Sequence, residues 1–129
     1  MGEHIATGTF EVAMSPQEPS IVGTGQFGIA KKWSGDLVAQ GSGLMLSAGD
    51  PASGHAGYVA LEVVEGTLHG RAGGFAFAQL GLMAGDEPNL RYVVVPGSGS
   101  GEFTGIGGEL ALTIEDGVHR YDLAYRLPD

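Results

Sequence analysis

The chain contains no cysteine. That absence removes disulfides, thiol nucleophiles, thiolate metal sites and dithiol redox motifs together. Positive charge is scarce as well: 6 Lys and Arg stand against 15 Asp and Glu, for a formal net charge of −9. Nucleic acids and anionic membrane surfaces both require a basic footprint, so neither is expected as a partner. The acidic residues are scattered, as on an ordinary solvated surface. No 18 residues are continuously apolar, and Met1-Gly-Glu-His4 is followed by no apolar leader. A soluble, cytoplasmic protein is the expectation. No ten-residue window carries a 3.6-residue apolar repeat, so no helix is expected. His4, His55, His69 and His119 lie far apart and form none of the close-spaced pairs that hold a metal, so no metal site is expected.

Glycine is what the chain has in excess. It carries 24 in 129 residues, where average usage of about 7% gives roughly nine. They follow no triplet period and gather at strand ends and in short Gly-x-Gly clusters, which reads as many tight corners. Hydrophobic residues at 43% and charged residues at 16% describe a globular chain, and its length fits one domain, residues 1–129.

The most informative stretch is residues 91–112. Val93, Val94 and Val95 are stopped by Pro96, which cannot donate to a sheet ladder. Gly97, Gly99 and Gly101 then alternate with Ser98 and Ser100, and after Gly105, Gly107 and Gly108 the alternation resumes at Leu110, Leu112 and Ile114. This is a corner between two strands, the second kinked by glycine. Ser98 and Ser100 lack the strand-to-helix context of a nucleophile elbow and read as turn residues.

Period-two alternation elsewhere predicts strands over residues 5–14, 21–33, 37–46, 58–64, 75–82, 90–95, 109–115 and 118–127. On the second of these, Phe27, Ile29, Lys31 and Trp33 share a face. The breaks fall at residues 15–20, 34–36, 48–55, 66–74, 85–88 and at Asp116-Gly117, a two-residue hairpin signal. About eight short antiparallel strands suit a closed barrel just wide enough for side chains or one small ligand, and an all-β, eight-stranded antiparallel barrel is the predicted fold. Gly23-Thr-Gly-Gln-Phe-Gly28 has the spacing of a dinucleotide loop, but Pro19 precedes it and a strand follows, so no such site is expected.

Three blocks carry a family resemblance: Ala6-Thr-Gly-Thr-Phe-Glu-Val12, Tyr58-Val-Ala-Leu-Glu-Val-Val-Glu-Gly-Thr-Leu-His-Gly-Arg-Ala-Gly73, and Val93-Val-Val-Pro-Gly-Ser-Gly-Ser-Gly-Glu-Phe-Thr-Gly105. With Lys31-Lys-Trp-Ser-Gly-Asp-Leu37, they resemble an uncharacterised bacterial family, domain of unknown function 3224, placed with the allene oxide cyclase-like barrels. The Pro-Gly-Ser-Gly-Ser-Gly block is also distantly similar to the glycine corner of plant dirigent proteins. The resemblance implies an eight-stranded barrel, often oligomeric, with an internal cavity. Relatives of known role cyclise or steer hydrophobic small molecules with neither metal nor organic cofactor. The plant cyclases use a thiol-bearing pocket residue, which this chain cannot supply.

Glu62 is the first chemical candidate. It lies mid-strand between Leu61 and Val63, and a carboxylate facing the barrel interior would be desolvated, which suits a general acid or base. The alternative is a carboxylate on the outer wall, or one paired with Lys31, Lys32 or Arg71. Tyr58 shares the Glu62 face and could donate to a polarised oxygen; Gln79, in line with Phe75 and Phe77, could orient a carbonyl. Glu11 is a lesser candidate, because Thr7 and Thr9 beside it read as outward-facing. Phe27, Trp33, Phe75, Phe77 and Tyr92 are candidate walls of an apolar pocket.

The leading expectation is a cofactor-free cyclase or isomerase acting on a hydrophobic small molecule, with Glu62 as acid/base and Tyr58 and Gln79 as anchors. The alternative is a barrel of the same shape that binds a lipophilic molecule without chemistry. A third option is an interaction protein with a filled barrel. Leu44-Met45-Leu46, apolar on both faces, and a small face of Ala60, Ala76 and Ala78 suggest a homo-oligomer.

Overall fold

Alternation builds this molecule strand by strand. The computed structural model describes residues 2–85 and 87–128. Its strands are β1 (His4–Gln17), β2 (Gly25–Gly35), β3 (Leu37–Asp50), β4 (His55–Leu68), β5 (Arg71–Ala84), β6 (Glu87–Val94), the two-residue β7 (Ser100–Gly101), β8 (Gly107–Glu115) and β9 (Val118–Arg126). The order is β4-β3-β2-β1-β9-β8-β6-β5, and β5 pairs back onto β4 along its length, so the sheet closes into an eight-stranded antiparallel barrel. β7 only touches the edge of β5, at Gly73 and Gly74. Helix is limited among the described residues to one short turn, Pro51–Ser53, started by Asp50 Oδ1 accepting the Ala52 N–H.

Every predicted strand is present, and most run further than the sequence suggests. β1 continues through Pro16 to Gln17. β3 and β4 extend into residues 48–55, leaving only the Pro51–Ser53 turn and Gly54 between them. The glycine-rich 66–74 segment is nearly all strand: only His69 and Gly70 turn, both at positive φ, which closes a two-residue hairpin. The second predicted strand instead starts late, at Gly25, after a turn in which the Thr24 N–H donates to the Ile21 carbonyl. The turn expected at residues 85–88 includes Asp86, which lies outside the described residues. Neighbour pairing explains the longer strands, because a barrel gives each strand two partners and so holds residues of low strand propensity in the ladder.

The two ends of the barrel differ. At one, residues 95–106 fold over the opening. The Ser98 hydroxyl donates to the Val95 carbonyl and accepts the Ala76 N–H. Phe103 and Ile106 are driven into the core, with the Phe103 ring edge-on to Phe75 at 5.6 Å. Tyr121 closes the same end from β9, accepting the Leu37 N–H at 3.0 Å and donating to the Ser34 carbonyl at 2.8 Å. Among the described residues no such plug covers the other end, where residues 18–24, 51–54 and the Asp116-Gly117 hairpin join the strands.

Asp36 knits the plugged end together from the surface. Its Oδ2 accepts the Thr7 N–H at 2.8 Å and lies 3.4 Å from His69 Nε2, while its backbone N–H donates to the Thr7 carbonyl. The Thr7 N–H, and then His69, hold its carboxyl below its ordinary value of 3.8. A carboxyl depressed by folding stabilises above its unfolded pKa, and that contribution disappears as pH falls through the folded value. Urea midpoints measured from pH 5 down to pH 2 are expected to fall less steeply in Asp36→Asn than in the parent; identical slopes would remove Asp36 from the acid response.

Candidate functional site

β3 is the reason two distant strands can share a charge pair. It lies between β2 and β4, and its inner face carries Gly41 opposite Lys31 and Gly43 opposite Glu62. Two strand spacings come to roughly 9.6 Å. With no side chains in the way, Lys31 and Trp33 from β2 reach over β3 to Glu62 on β4. A Cβ at Gly41 would overlap the Glu62 carboxylate.

The resulting cluster is buried and fully paired. Lys31 Nζ donates to Glu62 Oε1 at 2.9 Å and to the Tyr92 hydroxyl at 2.7 Å. Trp33 Nε1 donates to Glu62 Oε2, also at 2.9 Å. Lys31 and Glu62 retain only 8% and 3% of their surface. The ammonium also sits 4.5 Å from the centroid of Phe10 and 5.0 Å from that of Tyr92, within cation–π range. Burial, and then the neighbouring carboxylate of Glu62, push the Tyr92 phenol far up, so it stays protonated. Among the described residues, no buried side-chain nitrogen or oxygen lacks a partner.

Above this cluster the unplugged mouth forms an apolar recess of about 610 Å³. Its walls are inner-face side chains near the strand ends: Phe27, Met45, Ala56, Met83, Leu90, Leu112 and Ile114, together with Tyr58. Tyr58 accepts a hydrogen bond from Gln79 Nε2 at 2.7 Å, and its own O–H meets no acceptor among the described residues. Burial raises the Tyr58 phenol against a smaller opposing effect of the Gln79 bond, so it remains a neutral donor. A second notch of about 460 Å³ lies on the outer wall where β6 and β8 share the single bridge Val93–Glu109. Arg91 and Arg126 flank it, but so do Glu3 and Glu109, and its charges offset one another.

The residues singled out from the sequence thus divide by depth. Phe27 and Tyr58 line the recess, with Gln79 behind Tyr58. Glu62 lies below, inside the barrel and paired with Lys31, so the inward and ion-paired alternatives hold together. Trp33, Phe75, Phe77 and Tyr92 are core side chains at 1–2% exposure. Glu11 is exposed on the outer wall. Ala60 faces inward with Glu62, opposite in sense to Ala76 and Ala78, so these three share no face. Lys31 and the recess wall of Met45, Leu90 and Leu112 carry no functional assignment from sequence. Lys31 had a signal: a lysine in alternation with Phe27, Ile29 and Trp33 has to be paired inside.

A closed all-β barrel with one plugged end, one apolar mouth and a buried ion pair is therefore the class of molecule. A family model described as "Protein of unknown function (DUF3224)" matches residues 6–125, and the chain belongs to that family. It is similar to a crystal structure of a protein with unknown function from the DUF3224 family of Shewanella oneidensis MR-1. That likeness has 37% identity, a TM-score of 0.91 and coverage of 99% of both chains. No curated protein matches the chain.

Removing one partner of a buried pair strands the other charge, which costs about 3–5 kcal/mol, whereas replacing both by apolar groups is often close to neutral. Lys31→Met and Glu62→Leu are each expected to lower unfolding free energy by about that amount, and the double variant to recover most of it. Additive losses in a urea-denaturation cycle would show that the two side chains do not depend on each other.

Proposed function

We propose that this barrel binds a lipophilic small molecule in its open mouth, using no cofactor. The observation that carries the reading is the recess itself: mostly apolar walls, with Ser47 and Asn89 among the lining and the Tyr58 hydroxyl as a donor whose oxygen Gln79 holds in place. Its 610 Å³ falls within the roughly 300–1,000 Å³ typical of small-molecule sites. A phenol kept neutral and offering a proton selects a ligand with an acceptor, such as a carbonyl or ether oxygen, on an apolar body. The fluorescence of N-phenyl-1-naphthylamine is expected to rise on binding the parent protein and to be lost in Leu112→Trp, whose ring fills the recess. Equal binding by the two proteins would exclude the mouth as the site.

A second reading, cyclase or isomerase chemistry on such a molecule, is favoured by the Lys31–Glu62–Tyr92 cluster under the recess. It is what a kinship with the allene oxide cyclase-like and dirigent barrels, expected from the sequence blocks, would imply, and it gives Glu62 the role of acid/base. Binding ranks first because both Glu62 oxygens already hold donors. Ligand recovered chemically unchanged supports binding alone, and a rearranged ligand supports the second reading.

We also infer that the chain pairs with a second copy of itself. The outward rows of β3, β4 and β5 place Leu44 beside Leu61 and Ala78, and Leu46 beside Val59 and Leu80, with Val63 and Leu82 continuing the face. Val59, Leu61, Val63 and Leu82 are 50–58% exposed, and the ionisable side chains of these outward rows, Asp50, His55 and Glu65, stand at the ends of the apolar patch. On a chain of net charge −9, this apolar patch is the part of the wall that two acidic copies can bring together with their carboxylates kept to its margins. Light scattering after size exclusion is expected to give a multiple of 13.2 kDa for the parent and a monomer for Leu61→Glu. A monomeric parent at high concentration would refute the pairing.

A further inference from the structure

We propose that Lys31 captures carbonyl compounds: a lipophilic aldehyde or ketone entering the mouth condenses with Nζ to form an imine. This rests on the binding reading above and specifies the chemical class of its ligand. The chain has two lysines, adjacent in sequence and opposite in direction. Lys32 is exposed on the outer wall, while Lys31 points into the lumen.

The groups around Lys31 are those that imine formation needs. A nucleophilic amine must first lose a proton, and a carbinolamine must then lose water, so both an acceptor and a donor have to stand beside the nitrogen. Glu62 Oε1 at 2.9 Å and the Tyr92 hydroxyl at 2.7 Å are so placed. Transfer of one proton from Nζ to Glu62 converts an ion pair into two neutral groups, a change that a water-poor lumen tolerates. The amine attacks the carbonyl carbon and the C–N bond forms. The proton this nitrogen sheds passes to the carbonyl oxygen. Glu62 then returns its proton to that hydroxyl, and water leaves. The product is a protonated imine that faces the Glu62 carboxylate as the ammonium did. The sum is ammonium plus carbonyl giving iminium plus water, with no oxidant or reductant.

Between the recess and Lys31, the inner wall carries Ile29 on β2, Gly43 on β3, Ala60 on β4 and Gln79 on β5; Gly43 brings no side chain and is only partly buried. About 6% of the Lys31 side chain stays accessible. The apolar recess accepts the body of the ligand, and the Tyr58 hydroxyl offers its carbonyl a first hydrogen bond on the way in.

The test uses trans-cinnamaldehyde with sodium cyanoborohydride, which reduces an imine to a stable amine, followed by peptide mass mapping of the parent protein. Lys32 and the terminal amine serve as internal references, so no variant has to fold. The expected result is a reduced adduct mainly on Lys31, suppressed by N-phenyl-1-naphthylamine. The adduct should also be lost in the charge-free Lys31→Met/Glu62→Leu double variant. Adducts only on Lys32 and the terminal amine overturn the proposal. Dye binding by the parent and by Leu112→Trp separates the two readings. Dye binding in the mouth without a Lys31 adduct overturns imine capture and leaves the binding site standing, whereas equal dye binding by the parent and Leu112→Trp, with no Lys31 adduct, overturns both.

Discussion

The Lys31–Glu62 pair sets conditions that much of the barrel has to meet. Taking two ions out of water costs several kcal/mol each, and their attraction offsets this only with good geometry and further hydrogen bonds. Here that requires Trp33 two residues along β2, Tyr92 on β6, a bare inner face on β3, and Glu62 at one register on β4. Slipping any of these strands by one residue would turn its contribution to the opposite wall. The pair therefore ties together four strands that the hydrophobic effect alone would let slide, and it does so at some expense of stability.

Around that pair the lumen is divided lengthwise. The end carrying the 95–106 fold is filled: Phe103 and Ile106 enter from the corner, and Leu37, Leu68 and Leu123 meet them from the strands. At the other end no described residue forms a plug, and the inner side chains leave apolar surface open to solvent. The charged cluster sits between, shielded on one side by the aromatic layer of Phe10, Trp33 and Phe77, with the hydrogen-bonded Tyr58 and Gln79 on the side of the mouth. A water-poor floor under an open apolar mouth makes each polar group there count for more, because low dielectric strengthens every interaction it makes.

The strands and their closure into a barrel were legible from alternation and turn residues, and so was the family. The inside and outside of particular strands were harder. Period two fixes which residues share a face, not which face is buried. On β4 both sets are largely apolar: Val59, Leu61 and Val63 on one side, Tyr58, Ala60, Glu62 and Val64 on the other. Hydrophobicity alone would turn Val-Leu-Val inward, and the structure turns it outward. What decides is Lys31 on another strand, together with two glycines on the strand between, and no local window contains them all. Gly41 and Gly43 fall inside the strand predicted over residues 37–46, yet nothing local tells that Gly41 is the space the Glu62 carboxylate occupies and that Gly43 lies against the β4 backbone. An apolar pocket with Phe27 and Tyr58 in it was expected, but its place at one mouth was not legible, because that depends on which end the 95–106 corner covers.

The inversion of β4 also links the two surfaces that bear on function. A strand that spends its acidic residue inside and its branched aliphatics outside needs a cation within and cover without. Lys31 meets the first need within the chain. Val59, Leu61 and Val63 leave the second unmet, each half or more exposed in the centre of an apolar patch. Glu62 and Leu61 are neighbours on one backbone, so packing against the outer face bears directly on the wall that positions the carboxylate. An assembly formed through β4 would stiffen the register on which the Lys31–Glu62 contact depends. The pair within and the apolar face without are two consequences of one choice, the direction in which β4 presents its side chains.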